Sequence, residues 1–210
     1  MNVTLETARL RLRPFRLDDA EAMFERWASD DEVTKYLTWI THQSVEQTRE
    51  ILAKWVAEYE QPERLNFAIE LKEEGNKLIG GIDVVHYVEG VPVIGYNLAR
   101  AYWGRGLMTE ACRCVLDYLF SQGFSEVKID AIVENIGSNR VIQKCGGELV
   151  GTDEEYLSRK DKTVRVNRYL VKKKNMKKPG GCGLSVFPCA DKAVNPKGLC
   201  HSEQRIDEES

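Results

Sequence analysis

The run Tyr102-Trp103-Gly104-Arg105-Gly106-Leu107-Met108-Thr109-Glu110-Ala111 constrains this chain more than any other, because two glycines open directly into a helical pattern. Upstream, Val93-Ile94-Gly95-Tyr96-Asn97-Leu98 has the β-branched and aromatic character of a strand. Downstream, Met108, Ala111, Cys112, Val115, Leu116 and Leu119 recur at spacings of three and four, which draws one apolar stripe along a helix. Strand, Gly-x-Gly turn and helix together can cradle an anion. The first N–H groups of a helix lack internal partners, the aligned peptide dipoles make that end electropositive, and glycine lets a phosphate reach the backbone. A bare Gly-x-Gly also marks ordinary tight turns, so both readings stand at this point.

The chain of 210 residues is long enough for one domain with a sizeable core and a tail. Hydrophobic residues at 42% and charged ones at 30% match an ordinary globular protein, and a net charge of −3 offers no basic excess to recruit nucleic acid. Met1 to Glu6 lacks a charged leader followed by an apolar core, and no apolar run approaches membrane-spanning length. The expectation is a cytoplasmic protein without a membrane or nucleic-acid partner. Cys112, Cys114 and Cys145 fall inside predicted helices, where a thiol acts as a small hydrophobe. The other three, Cys182, Cys189 and Cys200, show no Cys-x-x-Cys spacing for zinc, so reduced thiols and no metal site are expected.

Thr7 to Arg13 alternates Leu10 and Leu12 against Arg9, Arg11 and Arg13, as a half-buried first strand does. Asp18 with Glu21 reads as a capping box for a first helix carrying Ala22, Met23, Phe24 and Trp27. Ser44 with Gln47 reads as a second box, for a helix running to about Tyr59. Between them Val33 to Thr41 is apolar without clean period, and Trp39 there is either loop packing or a substrate contact. Strand patterns follow at 67–71, 78–87 and 93–98, joined by Glu74-Gly75-Asn76 and Glu89-Gly90-Val91-Pro92, and they predict an antiparallel meander. Alternation sets Asp83 and His86 on opposite faces. Beyond the glycine helix, Val127 to Val133 reads as a strand reached by a right-handed crossover. Ser138 to Cys145 reads as a short helix, and Leu149-Val150 and Thr163 to Val171 as two last strands. Residues 174–210 lose apolar periodicity, which predicts a disordered tail behind a folded domain of residues 1–173.

This order of elements resembles the GNAT family of acetyl-CoA-dependent N-acetyltransferases. The run from Trp103 to Met108 occupies the position of that family's Gln/Arg-x-x-Gly-x-Gly/Ala loop. The block Glu134-Asn135-Ile136-Gly137-Ser138-Asn139-Arg140-Val141 and the opening Thr7-Ala8-Arg9-Leu10-Arg11-Leu12-Arg13-Pro14 are similar to its RimJ/RimL branch. Trp103 stands where Gln or Arg is usual, Met108 where a small residue is usual, and Gly147 where an aromatic commonly follows the block. The resemblance, over about residues 5–172, implies an α/β (α+β) fold with a central mixed, mostly antiparallel sheet of about six or seven strands flanked by helices.

It also implies acetyl transfer by direct attack of a primary amine, a protein N-terminus or a small molecule, with acetyl-CoA as co-substrate and no metal. A catalytically silent acyl-CoA-binding module is the alternative, and monomer and homodimer both remain open. Backbone groups from Trp103, Gly104, Arg105, Gly106, Leu107, Met108 and Thr109 are then expected at the pyrophosphate, Tyr96 to Leu98 along the pantetheine arm, and Asn135 and Arg140 nearby. The branch's acid and base map onto Ser138 and Glu155, and the acceptor pocket onto Trp39 and Tyr156. Taken without the resemblance, Ser138 is a helix N-cap, Asn135 a turn former and Glu155 one of a solvated acidic run. Asp83, Glu70 and His86 are reserve bases.

Overall fold

Leu10 and Leu12, alternating in the sequence, begin the core of a computed structural model that describes residues 3–59, 61 and 64–175. The strands are β1 (Leu5–Glu6), β2 (Leu10–Pro14), β3 (Asn66–Leu71), β4 (Lys77–Val88), β5 (Val91–Leu98), β6 (Glu126–Ile132), β7 (Glu148–Leu157) and β8 (Lys162–Lys172). They form one sheet in the order β1-β2-β3-β4-β5-β6-β8-β7. All neighbours are antiparallel except β5 and β6, the crossover pair. The expected meander and parallel pair are both present. Eight strands rather than six or seven arise because Leu5–Glu6 forms a short strand of its own ahead of β2.

Helices cover both faces. On one lie α1 (Ala20–Met23), α2 (Asp31–Thr34) and α3 (Val45–Glu58); on the other lie α4 (Leu107–Ser121) and α5 (Ile136–Lys144). The stripe on α4 sinks completely, with Ala111, Cys112, Val115, Leu116 and Leu119 at 2% exposure or less. Phe67 of β3 meets Tyr118 of α4 edge to face at 6.5 Å, so the sheet and this helix share one core. Cys112, Cys114 and Cys145 are buried free thiols. The expected tail and its three cysteines lie in residues 176–210, outside the described residues.

Several local expectations are corrected by tertiary partners. Arg13 does not face solvent: Glu70 takes its Nε at 2.6 Å and Asp19 takes both terminal nitrogens at 2.7 Å, so the strand is buried on both sides. Asp19 instead of Asp18 organises the first helix start, accepting the Arg16 backbone N–H at 2.8 Å. The first helix passes into a π turn at Phe24–Ala28. Ser44 does cap α3, accepting from the Gln47 N–H at 3.3 Å, while the Gln47 side chain reaches Gln43 instead. A bulge at Val85 pairs Asp83 with Gly95 and His86 with Val93, which returns His86 to the Asp83 side of the sheet. Simple alternation placed the two on opposite faces.

Candidate active site

Gly104 and Gly106 both adopt φ of 75°, the left-handed region that glycine enters without strain, and α4 starts at the next residue. Leu107 and Met108 are buried, so their side chains anchor the helix and its first turn offers a ligand main-chain N–H groups. The Arg105 guanidinium points away from this turn, toward Glu73 at 2.8 Å and Glu74 at 3.6 Å, and lies over the Tyr102 ring. What Arg105 can offer a ligand at this turn is therefore its main chain.

β6 registers with β5 only at Val93 and Ile94. From Gly95 to Leu98 the second edge of β5 has no strand beside it, and the sheet splays open there. The bond from Ala99 N–H to the Ile79 carbonyl fixes the β4 register, so the main-chain groups of Tyr96 and Leu98 face the open side. The indole N–H of Trp103 donates to the Leu98 carbonyl at 2.7 Å. That narrows the edge available to an extended ligand to Tyr96 and the Leu98 N–H, with the half-exposed Trp103 ring beside it.

Under the splay, the Tyr96 hydroxyl and Ser138 Oγ are 3.0 Å apart. Burial holds the Tyr96 hydroxyl well above its ordinary pKa, which keeps its proton on. Ser138 is not the N-cap of α5. Asn135 is, its Oδ1 accepting the Ser138 N–H at 3.1 Å, and this leaves the serine hydroxyl to face Tyr96. Asn139, which no motif reading singled out, is the hub beneath. Its Nδ2 donates to the Ile132 and Asn135 carbonyls, and its Oδ1 accepts from Asn167 Nδ2 and the Tyr169 hydroxyl at 2.8 Å each. A polar residue four after the capping Asn, on the side of Ile142, was the available signal. Arg140 is exposed on α5.

Trp39, Glu155 and Tyr156 line one cleft of about 380 Å³, together with Thr38, Leu157, Ser158 and Arg159. Alternation sends Glu155 and Tyr156 to opposite faces, and both reach the cleft because β7 is the sheet edge. Lys160 ties this end of β7 to the Thr34 carbonyl at 2.5 Å, beside the loop that carries Trp39. Glu155 is held at 2.9 Å by Arg168, which also binds Asp130 at 2.7 Å and Asp153 at 3.2 Å. One guanidinium faces three carboxylates, so the patch stays negative. The Tyr156 hydroxyl donates to Asp161.

A second carboxylate stands closer to the splay. Asp83 of β4 pairs across from Gly95, and burial pushes its carboxyl up to about 7, with only Arg64 drawing it back. On the same face, Asn66 Nδ2 and Asn97 Oδ1 are buried without hydrogen-bond partners. Neither asparagine was read from the sequence as a site residue, since single polar residues in strands carry no pattern. Among the described residues no group of three or more His, Cys, Asp or Glu could hold a metal, and no helix is long and apolar enough to cross a membrane.

Comparison with known proteins agrees with this geometry. Residues 9–148 match the acetyltransferase (GNAT) domain family. The uncharacterized N-acetyltransferase YoaA of Bacillus subtilis (strain 168) is 30% identical over 172 residues, covering 80% of this chain and 96% of the relative. A GNAT-family acetyltransferase structure from Bacillus anthracis superposes with a TM-score of 0.71 at 26% identity, over 81% of this chain and 99% of that one. RimL, a ribosomal-protein α-N-acetyltransferase solved with coenzyme A, superposes with a TM-score of 0.69 at 20% identity, over 79% of this chain and 95% of its own.

Proposed function

The chain belongs to the GNAT family of acetyl-CoA-dependent acetyltransferases, and from that premise we propose that it acetylates a primary amine, a protein N-terminus or a small-molecule amine, by direct attack on the thioester. The observation that carries this reading is the splayed β5 edge, which lies between a part-buried hydroxyl pair on one face and a part-buried carboxylate, raised by desolvation, on the other.

The glycine loop and the first turn of α4 bind the pyrophosphate, and the Tyr96 and Leu98 edge holds the pantetheine arm extended. The thioester then sits in the splay, where the acetyl carbon is open to the Asp83 face. The amine must lose a proton to attack. Two carboxylates serve the acceptor side and divide the work: Asp83, poised near neutrality, takes the proton, and Glu155, paired with Arg168 at the cleft, guides the acceptor in beside Trp39 and Tyr156. Nitrogen bonds to the carbonyl carbon, the C–S bond breaks, and the departing sulfur receives a proton from the Tyr96–Ser138 pair. The products are the acetamide and free coenzyme A. RimL's action on a ribosomal-protein α-amine supports a protein N-terminus as acceptor.

Mass spectrometry of a panel of N-terminal peptides and small amines, incubated with acetyl-CoA and the protein, tests this. Acetylated product and stoichiometric thiol release are expected. Ser138→Ala and Asp83→Asn should each cut kcat about 10²-fold or more, and Glu155→Gln should raise the acceptor KM, all with coenzyme binding retained. Tight coenzyme binding with no turnover on any amine would overturn the enzyme reading in favour of a silent acyl-CoA-binding module.

A further inference from the structure

The first strands and the glycine loop, about a hundred residues apart, meet at one carboxylate. Glu110, in the first turn of α4, accepts the Thr7 hydroxyl at 2.5 Å, the Arg9 backbone N–H at 3.0 Å and the Arg9 Nε at 2.7 Å. A second Arg9 nitrogen completes the ion pair at 2.6 Å. The third arm of the guanidinium turns the other way and donates to the Arg105 carbonyl at 3.1 Å. The same side chain passes close to Gly106, 3.8 Å from where a Cβ would stand. Partial burial opposes ionisation of Glu110, but the Thr7 and Arg9 bonds hold its carboxyl below the ordinary range.

An anion cradle at a helix start works only if its N–H groups face the ligand while carbonyls and fixed negative charges face elsewhere. Glu110 threatens that arrangement by charge, and the Arg105 carbonyl, lying between the two left-handed glycines, threatens it by orientation. Arg9 answers both. We propose that Arg9 and Glu110 are positioning residues for the coenzyme pyrophosphate: Arg9 holds the Arg105 carbonyl turned out of the cradle and cancels the charge of Glu110, while Glu110 orients Arg9. The Thr-x-Arg of the turn between β1 and β2 and the Glu four residues after the second glycine thus form one device. It rests on reading the loop as the pyrophosphate site.

Calorimetric titration of the full chain with coenzyme A, and with pantetheine to millimolar concentration, separates the possibilities, because pantetheine lacks the pyrophosphate. Wild type is expected to favour coenzyme A strongly. Arg9→Ala should weaken coenzyme A by about tenfold, some 1.4 kcal/mol, and pantetheine by less than about twofold. Arg9→Lys keeps the charge but cannot bind the Glu110 carboxylate and the Arg105 carbonyl together, so it should recover part of the loss. Thr7→Val removes one bond to Glu110 without changing charge and should cost coenzyme A affinity less. If Arg9→Ala does not fold, the ratio is read on Arg9→Lys and Thr7→Val. Equal losses for both ligands, or unchanged coenzyme A affinity, would overturn the proposal. A wild type that binds both ligands equally would overturn the pyrophosphate reading itself.

Discussion

Asp83 carries the sharpest residue-scale consequence. Its carboxyl titrates at an ordinary 3.8 when the chain is unfolded and at about 7 when folded, because burial penalises the charge. Between those values the folded protein holds a proton that the unfolded chain has lost, so stability falls as pH rises through that interval. At about 1.4 kcal/mol per pH unit the ceiling is roughly 4 kcal/mol. Asp83→Asn should therefore be more stable than wild type at pH 8, with the gap closing toward pH 4 in urea unfolding. A pH-independent gap would remove Asp83 as a buried titrating group. The same substitution should abolish the rise of kcat/KM near pH 7. Gly147 makes a different residue-scale point. A Cβ there would stand 2.5 Å from Ile142 Cγ2 and 3.1 Å from the Ile142 carbonyl, so the aromatic usual in relatives has no room as this chain packs.

At the scale of elements, α5 is set by an asparagine pair. Asn135 caps it and Asn139 staples its first turn to the ends of β6 and β8, which aims Ser138 at Tyr96. Asn139→Ala would strand the buried Tyr169 hydroxyl, at about 1–3 kcal/mol, and take away the partner of the part-buried Asn167 amide. Lowered urea stability, with hydrogen exchange accelerated first in the α5 amides, is the expected result. Unchanged α5 protection would show that packing of Ile142 alone holds the helix. The β4 bulge is a second element-scale device. One extra residue, Val85, brings the Asp83 and His86 side chains to one side and twists the strand where its hairpin leaves the sheet.

For the whole molecule, the sheet order puts the coenzyme elements between two helical layers. β5, α4 and α5 build one wall of the splay, and the proposed acceptor cleft is formed where the β7–β8 hairpin returns from the far edge. On the proposed site, coenzyme A would bridge elements that meet only in the folded state, so it should stabilise the whole chain. At a hundred times its Kd the gain is about 2.7 kcal/mol, read as a higher Tm that grows with ligand concentration. A Tm insensitive to coenzyme A would contradict the cradle.

The strands, the α4 stripe, the glycine turn and the order of elements were legible in the sequence because each follows from local periodicity or local backbone freedom. The Gly104 and Gly106 turn was named from its motif, and it opens α4 in the left-handed conformation; Glu155, Trp39 and Tyr156 were named separately, and the fold sets them on one cleft. Contacts between distant segments could not be read this way. The burial of Arg13 depends on Glu70, 57 residues away, and the clasp of Glu110 depends on Arg9, 101 residues away. The elevated Asp83 carboxyl depends on which helices cover it, and the site's cap fell to Asn135 instead of Ser138 once tertiary bonds chose the start of α5. Periodicity determined which face of each element turns inward; only the folded chain decided which polar groups went inward with it, because burying them requires partners that the sequence supplies from far away.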